Sequence, residues 1–376
     1  MIRPISRSDA AGHRRGWLRY AALATLLLAG CGNDGDSGDT TDTAVQDAAD
    51  AAADVEQDAA VDVGTDTVTG TLKWTAQVPP VDGKILGAAA LHGTAGAYLL
   101  VGEDGAIVRL GATGPQIITV PGVGAADLRA VYVDDKGVAT LGGDASILVQ
   151  GSGSDWQLVP EIPPSPVTRF RGIDGAGEDV WAVGDETRAF RKDAGGTFLP
   201  VDVTVTDGEA LAANANFVAV QVQSDAVWIA ADAGSKSAGL VLEQTKDGWR
   251  SYPLAFAPRG LWRGTDGATW VVGGTVQPHV ARLEGSAFVE LDGLQWMLGF
   301  SAVAGFGADD VWLGALKGQV RRWNGTAFET VSVKAPPGTP SPFAQPSGDV
   351  GALALHAPDE LLVATPFFVY RYGIQP

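Results

Sequence analysis

The chain has 376 residues, of which 45% are hydrophobic, and it carries a formal net charge of −18. An acidic protein is repelled by phosphate backbones and anionic lipid headgroups, so this charge argues against nucleic acid and against electrostatic docking on a membrane. Cys31 is the one cysteine, which excludes an intramolecular disulfide. The length beyond the N-terminal region is ample for one large buried core.

The first thirty residues have the composition of an export signal. Five arginines precede an apolar stretch at residues 21–29, which is too short to span a bilayer. The stretch ends in the segment Leu28-Ala29-Gly30-Cys31. This segment resembles the cleavage box of bacterial lipoproteins, and the resemblance implies a signal peptide over residues 1–30 and a lipid on Cys31. Gly32 and Asn33 differ from the aspartate that commonly retains such proteins in the inner membrane, so the resemblance implies an outer-membrane lipoprotein of the cell envelope.

Residues 31–70 read as a tether. Residues 32–70 contain ten Asp and one Glu but no Lys or Arg, with Ala, Thr and Gly between the acids. Low hydrophobicity with charge of one sign does not bury enough surface to offset the cost of ordering. We therefore predict a disordered, self-repelling linker that separates the lipid from the folded domain.

From Lys84 onward the sequence repeats with a period in the low forties. The clearest copies contain Asp179-Val180-Trp181 and Asp310-Val311-Trp312. The places that match these tryptophans in the other copies are Leu99, Ala139, Trp228, Trp270 and Leu362. Short runs of alternating apolar residues separated by Gly, Asn and Asp turns at this spacing are typical of propeller blades. The pattern predicts seven blades of four antiparallel strands each.

The seventh copy ends on its third strand, and the missing fourth strand is found at residues 71–78. We predict an all-β, seven-bladed β-propeller over residues 71–376, in which this N-terminal strand completes the last blade and leaves no open edge between the chain ends. The third position of every opening strand is small, as the narrowest ring of a propeller requires. These residues are Ala88, Ala130, Gly172, Ala219, Gly260, Ala302 and Ala352.

The repeats resemble the broad superfamily of WD-repeat-like and YVTN-like propellers, and with the N-terminal region they look most like propeller lipoproteins of predatory and soil proteobacteria. Asp193-Ala194-Gly195-Gly196-Thr197-Phe198 resembles an Asp-box turn, although Arg191 stands where that motif has Ser or Thr. The Asp-box is a structural hairpin in the families that carry it. The resemblance therefore implies a fold and no particular activity.

Binding in propellers is expected on the axis, where the opening strands end. Alternation along these strands places one ring of side chains toward the axis, namely Ala90, Tyr132, Asp174, Gln221, Trp262, Ala304 and Ala354. Phe306 belongs to a second ring two residues further on. The same alternation directs Arg129, Arg171 and Arg259 toward the blade interfaces. We predict Tyr132, Asp174, Gln221, Trp262 and Phe306 as candidate axial binding residues, with Trp262 suited to stacking on a ring or sugar.

His92 and His356 are predicted at equivalent positions of the first and last blades, and Asp134 in the blade beside His92. Two imidazoles and a carboxylate suit a divalent metal or an acid/base pair. The same residues equally suit hydrated strand ends. We predict no cofactor, and a divalent metal at this site stays an alternative.

The sequence lacks a coherent catalytic set. It has no Gly-x-Ser-x-Gly elbow, and the one cysteine is assigned to lipidation. We therefore expect a monomeric, non-enzymatic binding or scaffold module that presents one propeller rim to a protein, peptide or glycan, and contacts the membrane through its N-terminal lipid. The alternative is a lyase or hydrolase acting on glycans or small molecules at the axial rim.

Overall fold

The computed structural model describes residues 71–78, 90–94, 97–111, 114–159, 169–233, 238–294, 298–331, 349–357, 360–365 and 369–375. The signal peptide, Cys31 and the tether lie outside these ranges and stay predictions. The described residues fold into 29 strands. No helix among them has the length and apolar character needed to cross a bilayer.

Short strands joined by tight turns make up the first part of the described chain. In chain order they are β1 (Thr71–Val78), β2 (Ala90–Thr94), β3 (Ala97–Val101), β4 (Ile107–Gly111), β5 (Gly114–Ile117), β6 (Leu128–Val133), β7 (Ala139–Gly143), β8 (Leu148–Ser152), β9 (Asp155–Leu158), β10 (Phe170–Ala176), β11 (Asp179–Gly184), β12 (Ala189–Lys192) and β13 (Phe198–Val201).

The second part continues the same pattern, with longer strands in the fourth repeat. These strands are β14 (Val205–Asp207), β15 (Asn216–Gln223), β16 (Ala226–Asp232), β17 (Gly239–Thr245), β18 (Gly248–Leu254), β19 (Pro258–Arg263), β20 (Thr269–Gly273), β21 (His279–Glu284), β22 (Ala287–Glu290), β23 (Phe300–Gly307), β24 (Asp310–Ala315), β25 (Val320–Trp323), β26 (Phe328–Val331), β27 (Ala352–Ala357), β28 (Glu360–Ala364) and β29 (Val369–Gln375).

The strands form seven sheets, which are the seven predicted blades. Blades 1 to 6 are antiparallel meanders that begin on β2, β6, β10, β15, β19 and β23. The seventh has the order β1-β29-β28-β27, with Thr71 opposite Gln375 and Val78 opposite Val369. This pairing confirms closure of the last blade by the N-terminal strand. One difference is β14, which adds a fifth strand, parallel to β18, to the outer edge of blade 4.

The hydrophobic core is divided among the blade interfaces. The described residues form seven clusters, each between two adjacent blades. Ile107 of blade 1 packs with Val131 of blade 2, for example, and Leu100 of blade 1 packs with Leu362 of blade 7. Both faces of every blade are therefore buried against neighbours, and the ring closes through the contact of the first blade with the last.

The two ends of the innermost strands define two faces of the propeller. We call the end at which β6, β10, β15, β19 and β23 begin the entry face, and the end at which they stop the exit face. The turns between second and third strands lie on the entry face, since strand direction alternates within a blade. Thr71 pairs with the final residues of β29 and so lies on the exit face.

Several entry-face turns fasten each blade to the start of the next one. The backbone N–H of Asp104 donates to Asp127 Oδ1 at 3.1 Å, and that of Glu186 donates to Asn216 Oδ1 at 3.1 Å. Lys317 N–H donates to Asp349 Oδ1 at 3.2 Å. The acceptors lie at the first residue of the next blade's innermost strand or within three residues before it. These contacts fix where the innermost strands begin.

Candidate functional site

Most innermost strands begin with a β-bulge. In β6, Leu128 pairs with Gly143 and Ala130 with Gly142, so Arg129 lies between them without a partner on β7. The same irregularity occurs at the starts of β10, β15, β19 and β23. A bulge inserts one extra residue, which interrupts the alternation of side chains and turns the inserted side chain in a new direction.

The bulged residues line the entry-face mouth of the axis. The mouth is a cavity of about 200 Å³ with contributions from all seven blades. Its bulged residues are Arg129, Arg171, Val218, Arg259 and Ser301. The three arginines, predicted to face the blade interfaces, thus also line the mouth, because the bulge breaks the period of two on which that prediction was based.

A ring of small residues forms the base of this mouth. Its members pair at equivalent positions and are Ala90, Ala130, Gly172, Ala219, Gly260, Ala302 and Ala352. Six of the seven were predicted from the repeat. In blade 1 the member is Ala90, which pairs with Val101 as Ala130 pairs with Gly142, whereas Ala88 lies outside the described residues.

Ion pairs connect blades 2 and 3 at the mouth. Arg129 Nε donates to Asp144 Oδ1 at 2.6 Å and its Nη2 donates to Asp144 Oδ2 at 3.0 Å. Arg169 Nε lies 3.6 Å from Asp144 and 3.9 Å from Asp185, which in turn binds Arg171. The hydrogen bond from Arg129 holds the pKa of the Asp144 carboxyl below its usual range. These guanidinium groups are held in place by carboxylates of their own chain.

A second ring, which we call the clasp ring, lies two residues further along the innermost strands. Its members pair with the tryptophan-equivalent positions of the second strands and are His92, Tyr132, Asp174, Gln221, Trp262, Ala304 and Ala354. Four of the five candidate axial binding residues are thus brought to one level. Blade 1 contributes His92 rather than Ala90, because His92 pairs with Leu99. In blade 2 the tryptophan-equivalent residue is Thr140, not Ala139.

Three members of the clasp ring accept a hydrogen bond from the next blade. His92 Nδ1 accepts from the backbone N–H of Val133 at 3.0 Å. Asp174 Oδ2 accepts from Val222 N–H at 2.7 Å, and Gln221 Oε1 accepts from Arg263 N–H at 3.2 Å. In every case the donor is the residue that follows the next blade's own ring member. The polar atoms predicted to face a ligand therefore join neighbouring blades.

The two aromatic members make the same junction by packing. The Tyr132 ring covers Gly175 of blade 3, where an added Cβ would lie 2.7 Å from Tyr132 Cε1. The Trp262 ring covers Gly305 of blade 6, where an added Cβ would lie 2.7 Å from Cη2. Both places require glycine because the neighbouring ring occupies the space of a side chain. Binding of a ligand by these residues stays a prediction.

Burial shifts the protonation of the clasp ring. Desolvation raises the pKa of Asp174 to about 7, against the opposing effect of the N–H groups of Val222 and Gly175. Burial lowers the pKa of His92 to about 4. The imidazole is therefore neutral at pH 7, in agreement with its role as an acceptor at Nδ1.

Two of the predicted metal ligands, Asp134 and His92, each accept hydrogen bonds from backbone N–H groups. Asp134 Oδ1 accepts hydrogen bonds from Lys136 N–H at 2.9 Å and Val138 N–H at 2.8 Å, so it stabilises its own turn. His92 lies at the level of Tyr132, whereas His356 follows Ala354 by two residues, so the two histidines are not equivalent as predicted. The His356 side chain lies outside the described residues. Within the described part of the chain, no group of three or more His, Cys, Asp or Glu is placed to hold a metal.

Phe306 lies away from the other candidates. It occupies a second bulge of β23, between Gly305 and Gly307, near the exit face. Its side chain is 36% exposed, unlike the buried Tyr132. The sequence therefore grouped clasp-ring residues with an exposed residue two positions nearer the exit face.

The recurring Asp-x-Trp motif has a structural role that reasoning from the sequence missed. Asp179 Oδ1 accepts from Trp181 Nε1 at 3.1 Å and from Arg191 Nε at 2.7 Å, and the Arg191 guanidinium lies over the Trp181 ring at 5.7 Å. Arg322 lies over Trp312 at 5.2 Å in the same way. An arginine ten residues after each of these tryptophans was the available signal. The cation–π contact and the ion pair stabilise the blade.

The hydrogen bonds of Asp193 confirm that the Asp-box-like segment forms a hairpin turn. Its Oδ1 accepts from the backbone N–H groups of Gly195 at 2.9 Å and Thr197 at 2.8 Å, between β12 and β13. Phe198, at the start of β13, is buried. The motif therefore shapes a turn far from the axial mouth.

Comparisons with known proteins show the fold. No family model matches the chain, and no curated protein matches it. Among solved structures, YCF48 bound to D1 peptide aligns with a TM-score of 0.59 and 16% identity over 81% of this chain and 98% of that chain. YCF48 from Cyanidioschyzon merolae aligns with a TM-score of 0.58 and 12% identity over 79% and 98%. The WD40 propeller domain of Doa1 aligns with a TM-score of 0.60 and 12% identity over 81% of this chain and 97% of that chain. At these identities the likeness establishes the seven-bladed propeller fold.

Proposed function

We propose that this protein is a non-enzymatic binding module, and that its partner is a protein or peptide segment held at the entry-face mouth. The observation that carries the proposal is the mouth itself, a cavity of about 200 Å³ to which every blade contributes. The D1 peptide bound to YCF48, a propeller of similar fold, supports it by analogy. The fold alone does not define a function.

The chemistry of the mouth favours a peptide over a glycan. Sugar-binding sites usually offer an exposed aromatic face, but the aromatic rings of the clasp ring cover glycines of the next blade. The mouth offers guanidinium groups and aliphatic side chains, which suit carboxylates and backbone of a peptide. The Ser301 hydroxyl at the mouth donates to the carbonyl oxygen of Val350 at 2.5 Å.

We further propose that the module is an outer-membrane lipoprotein of the cell envelope, anchored through a lipid on Cys31 and the acidic tether of residues 31–70. Thr71, where the described chain begins, lies on the exit face of blade 7, whereas the mouth opens on the entry face. We expect a monomer without a cofactor. Cys31→Ala would release the protein from the membrane fraction, and retention of this variant in the membrane would contradict lipid anchoring.

Two variants at opposite ends of β15 test the proposed binding face. Val218→Trp would fill the mouth, because Val218 lines it. Ser224→Trp adds the same side chain in the exposed turn after β15. We expect the full-length protein to capture specific partners from envelope extracts, with loss of capture for Val218→Trp and normal capture for Ser224→Trp. Equal capture by both variants, each shown to be folded by thermal unfolding, would contradict the proposed site.

A further inference from the structure

Arg259 differs from the other arginines of the described chain. It has neither a hydrogen bond nor an ion pair to any described residue, whereas the remaining described arginines all have a partner. Arg259 is exposed and lines the axial mouth. A guanidinium without a carboxylate partner can bind the carboxylate of a ligand, because its N–H groups match the two carboxylate oxygens.

The charges around Arg259 make it the unbalanced cation of the mouth. The network of Arg129, Arg169 and Arg171 is matched by carboxylates of Asp127, Asp144 and Asp185. The adjacent blades contribute the neutral Val218 and Ser301 at the bulged position. One positive charge therefore remains uncompensated, in a chain whose net charge is −18.

We propose that Arg259 binds a carboxylate of the partner segment, so that the mouth recognises either a C-terminal carboxylate or an acidic side chain on an extended peptide. This inference rests on the proposed function. A cavity of about 200 Å³ admits a chain end or one side chain. The exposed acids Glu103, Asp104 and Glu186 on the entry-face turns disfavour further anionic groups. The favoured segment therefore carries one carboxylate among neutral or basic residues.

The test uses three fluorescent heptapeptides of Gly, Ser and Ala. One has a free C-terminal carboxylate, the second is its C-terminal amide, and the third is an amide with one internal Glu. Binding to the full-length protein in detergent is measured by fluorescence anisotropy at low salt. We expect one or both carboxylate peptides to bind at least tenfold more tightly than the neutral amide, and to weaken as salt is added. Preference for the first identifies a chain end, and preference for the third identifies a side chain.

Arg259→Gln is expected to weaken binding of the preferred peptide about tenfold and to leave binding of the neutral amide unchanged. Arg250→Gln is the matched control, because Arg250 is an exposed arginine of blade 4 that binds Asp207 at 2.7 Å, away from the mouth. Unchanged binding by Arg259→Gln, equal binding of all three peptides, or no binding at millimolar concentration would overturn the proposal. Loss of partner capture by Val218→Trp with normal peptide binding by Arg259→Gln would keep the proposed function and reject this inference alone.

Discussion

The bulged residues at the mouth and the clasp ring lie only three positions apart on the same innermost strands, yet their polar groups are used differently. In the clasp ring, Asp174 and Gln221 accept backbone hydrogen bonds from the next blade. At the mouth, Arg129 binds carboxylates at the propeller surface, and Arg259 has no described partner. An axial position in a propeller therefore does not by itself make a residue a ligand-binding one.

The physical reason is the bulge. A regularly paired residue points its side chain at the neighbouring blade, where it meets backbone N–H groups and glycines. An inserted residue is released from this alternation, and the five inserted residues line the mouth. We therefore expect substitutions in the clasp ring to change stability, and substitutions at the mouth to change binding.

The largest expected effect is on the pH dependence of stability in Asp174→Asn. The pKa of Asp174 is about 7 in the fold against 3.8 when unperturbed. The folded state therefore holds the proton more tightly, and this stabilisation is complete below pH 4 and lost as pH rises to 7. Asn keeps an acceptor for Val222 and does not titrate. From pH 4 to pH 8 the free energy of unfolding of the wild type should fall by up to about 4 kcal/mol relative to Asp174→Asn. The free energies of unfolding are measured by urea denaturation across this pH range. If they changed with pH in parallel for the two proteins, the burial of this carboxyl would be contradicted.

His92→Asn should show the opposite dependence. The pKa of His92 is about 4 in the fold against 6.5 when unperturbed, so its contribution is present above pH 6.5 and lost as pH falls to 4. The wild type should lose up to about 3 kcal/mol of unfolding free energy relative to His92→Asn over that range. Urea denaturation at pH 4.5 and pH 7.5 measures it. A difference between the two proteins that does not depend on pH would show that His92 is not a buried acceptor.

Tyr132→Ala should lower the free energy of unfolding by about 3 kcal/mol, because a buried ring that covers Gly175 is removed and leaves a cavity. Phe306→Ala is the control, since Phe306 is 36% exposed and belongs to no blade-interface cluster of the described residues. We expect this control to change stability by less than about 1 kcal/mol. Equal losses for the two variants would contradict the separation of the clasp ring from the exit face.

The smallest effects are expected at the mouth. Arg171→Ala should cost about 1 kcal/mol, because Asp185 is buried and loses its hydrogen-bonded partner. Arg259→Gln should change the free energy of unfolding by less than about 0.5 kcal/mol, because no described residue depends on it. Thermal or urea unfolding of the two variants side by side measures the difference. A larger loss for Arg259→Gln than for Arg171→Ala would assign a structural role to Arg259.

The parts of this fold that repeat could be predicted from the sequence. The period fixed the blade number, and the leftover strand Thr71–Val78 predicted how the ring closes. The small residues of the innermost strands followed from crowding at the axis. In blade 1 the opening strand was predicted two residues too early, although its tryptophan-equivalent position, Leu99, was predicted correctly. β14 belongs to no repeat, so the periodic pattern did not predict it.

The candidate site was less predictable, because it depends on breaks in the pattern. Arg129, Arg171 and Arg259 each stand between a large or cyclic apolar residue and Ala or Gly. That recurrence was visible, but only the pairing shows that it marks a bulge. The donors that reach Asp174 and Gln221 belong to the next blade, more than forty residues away. Such contacts follow from the register between blades and not from any local motif.

Photo-crosslinking in intact cells tests the central claim most directly, because it compares the two ends of the axis and works before the partner has been identified. A photoreactive amino acid replaces Val218 at the mouth or Phe306 near the exit face of the full-length protein. We expect a discrete crosslinked partner from position 218 and none from position 306. A partner crosslinked at position 306 and absent at position 218 would contradict it.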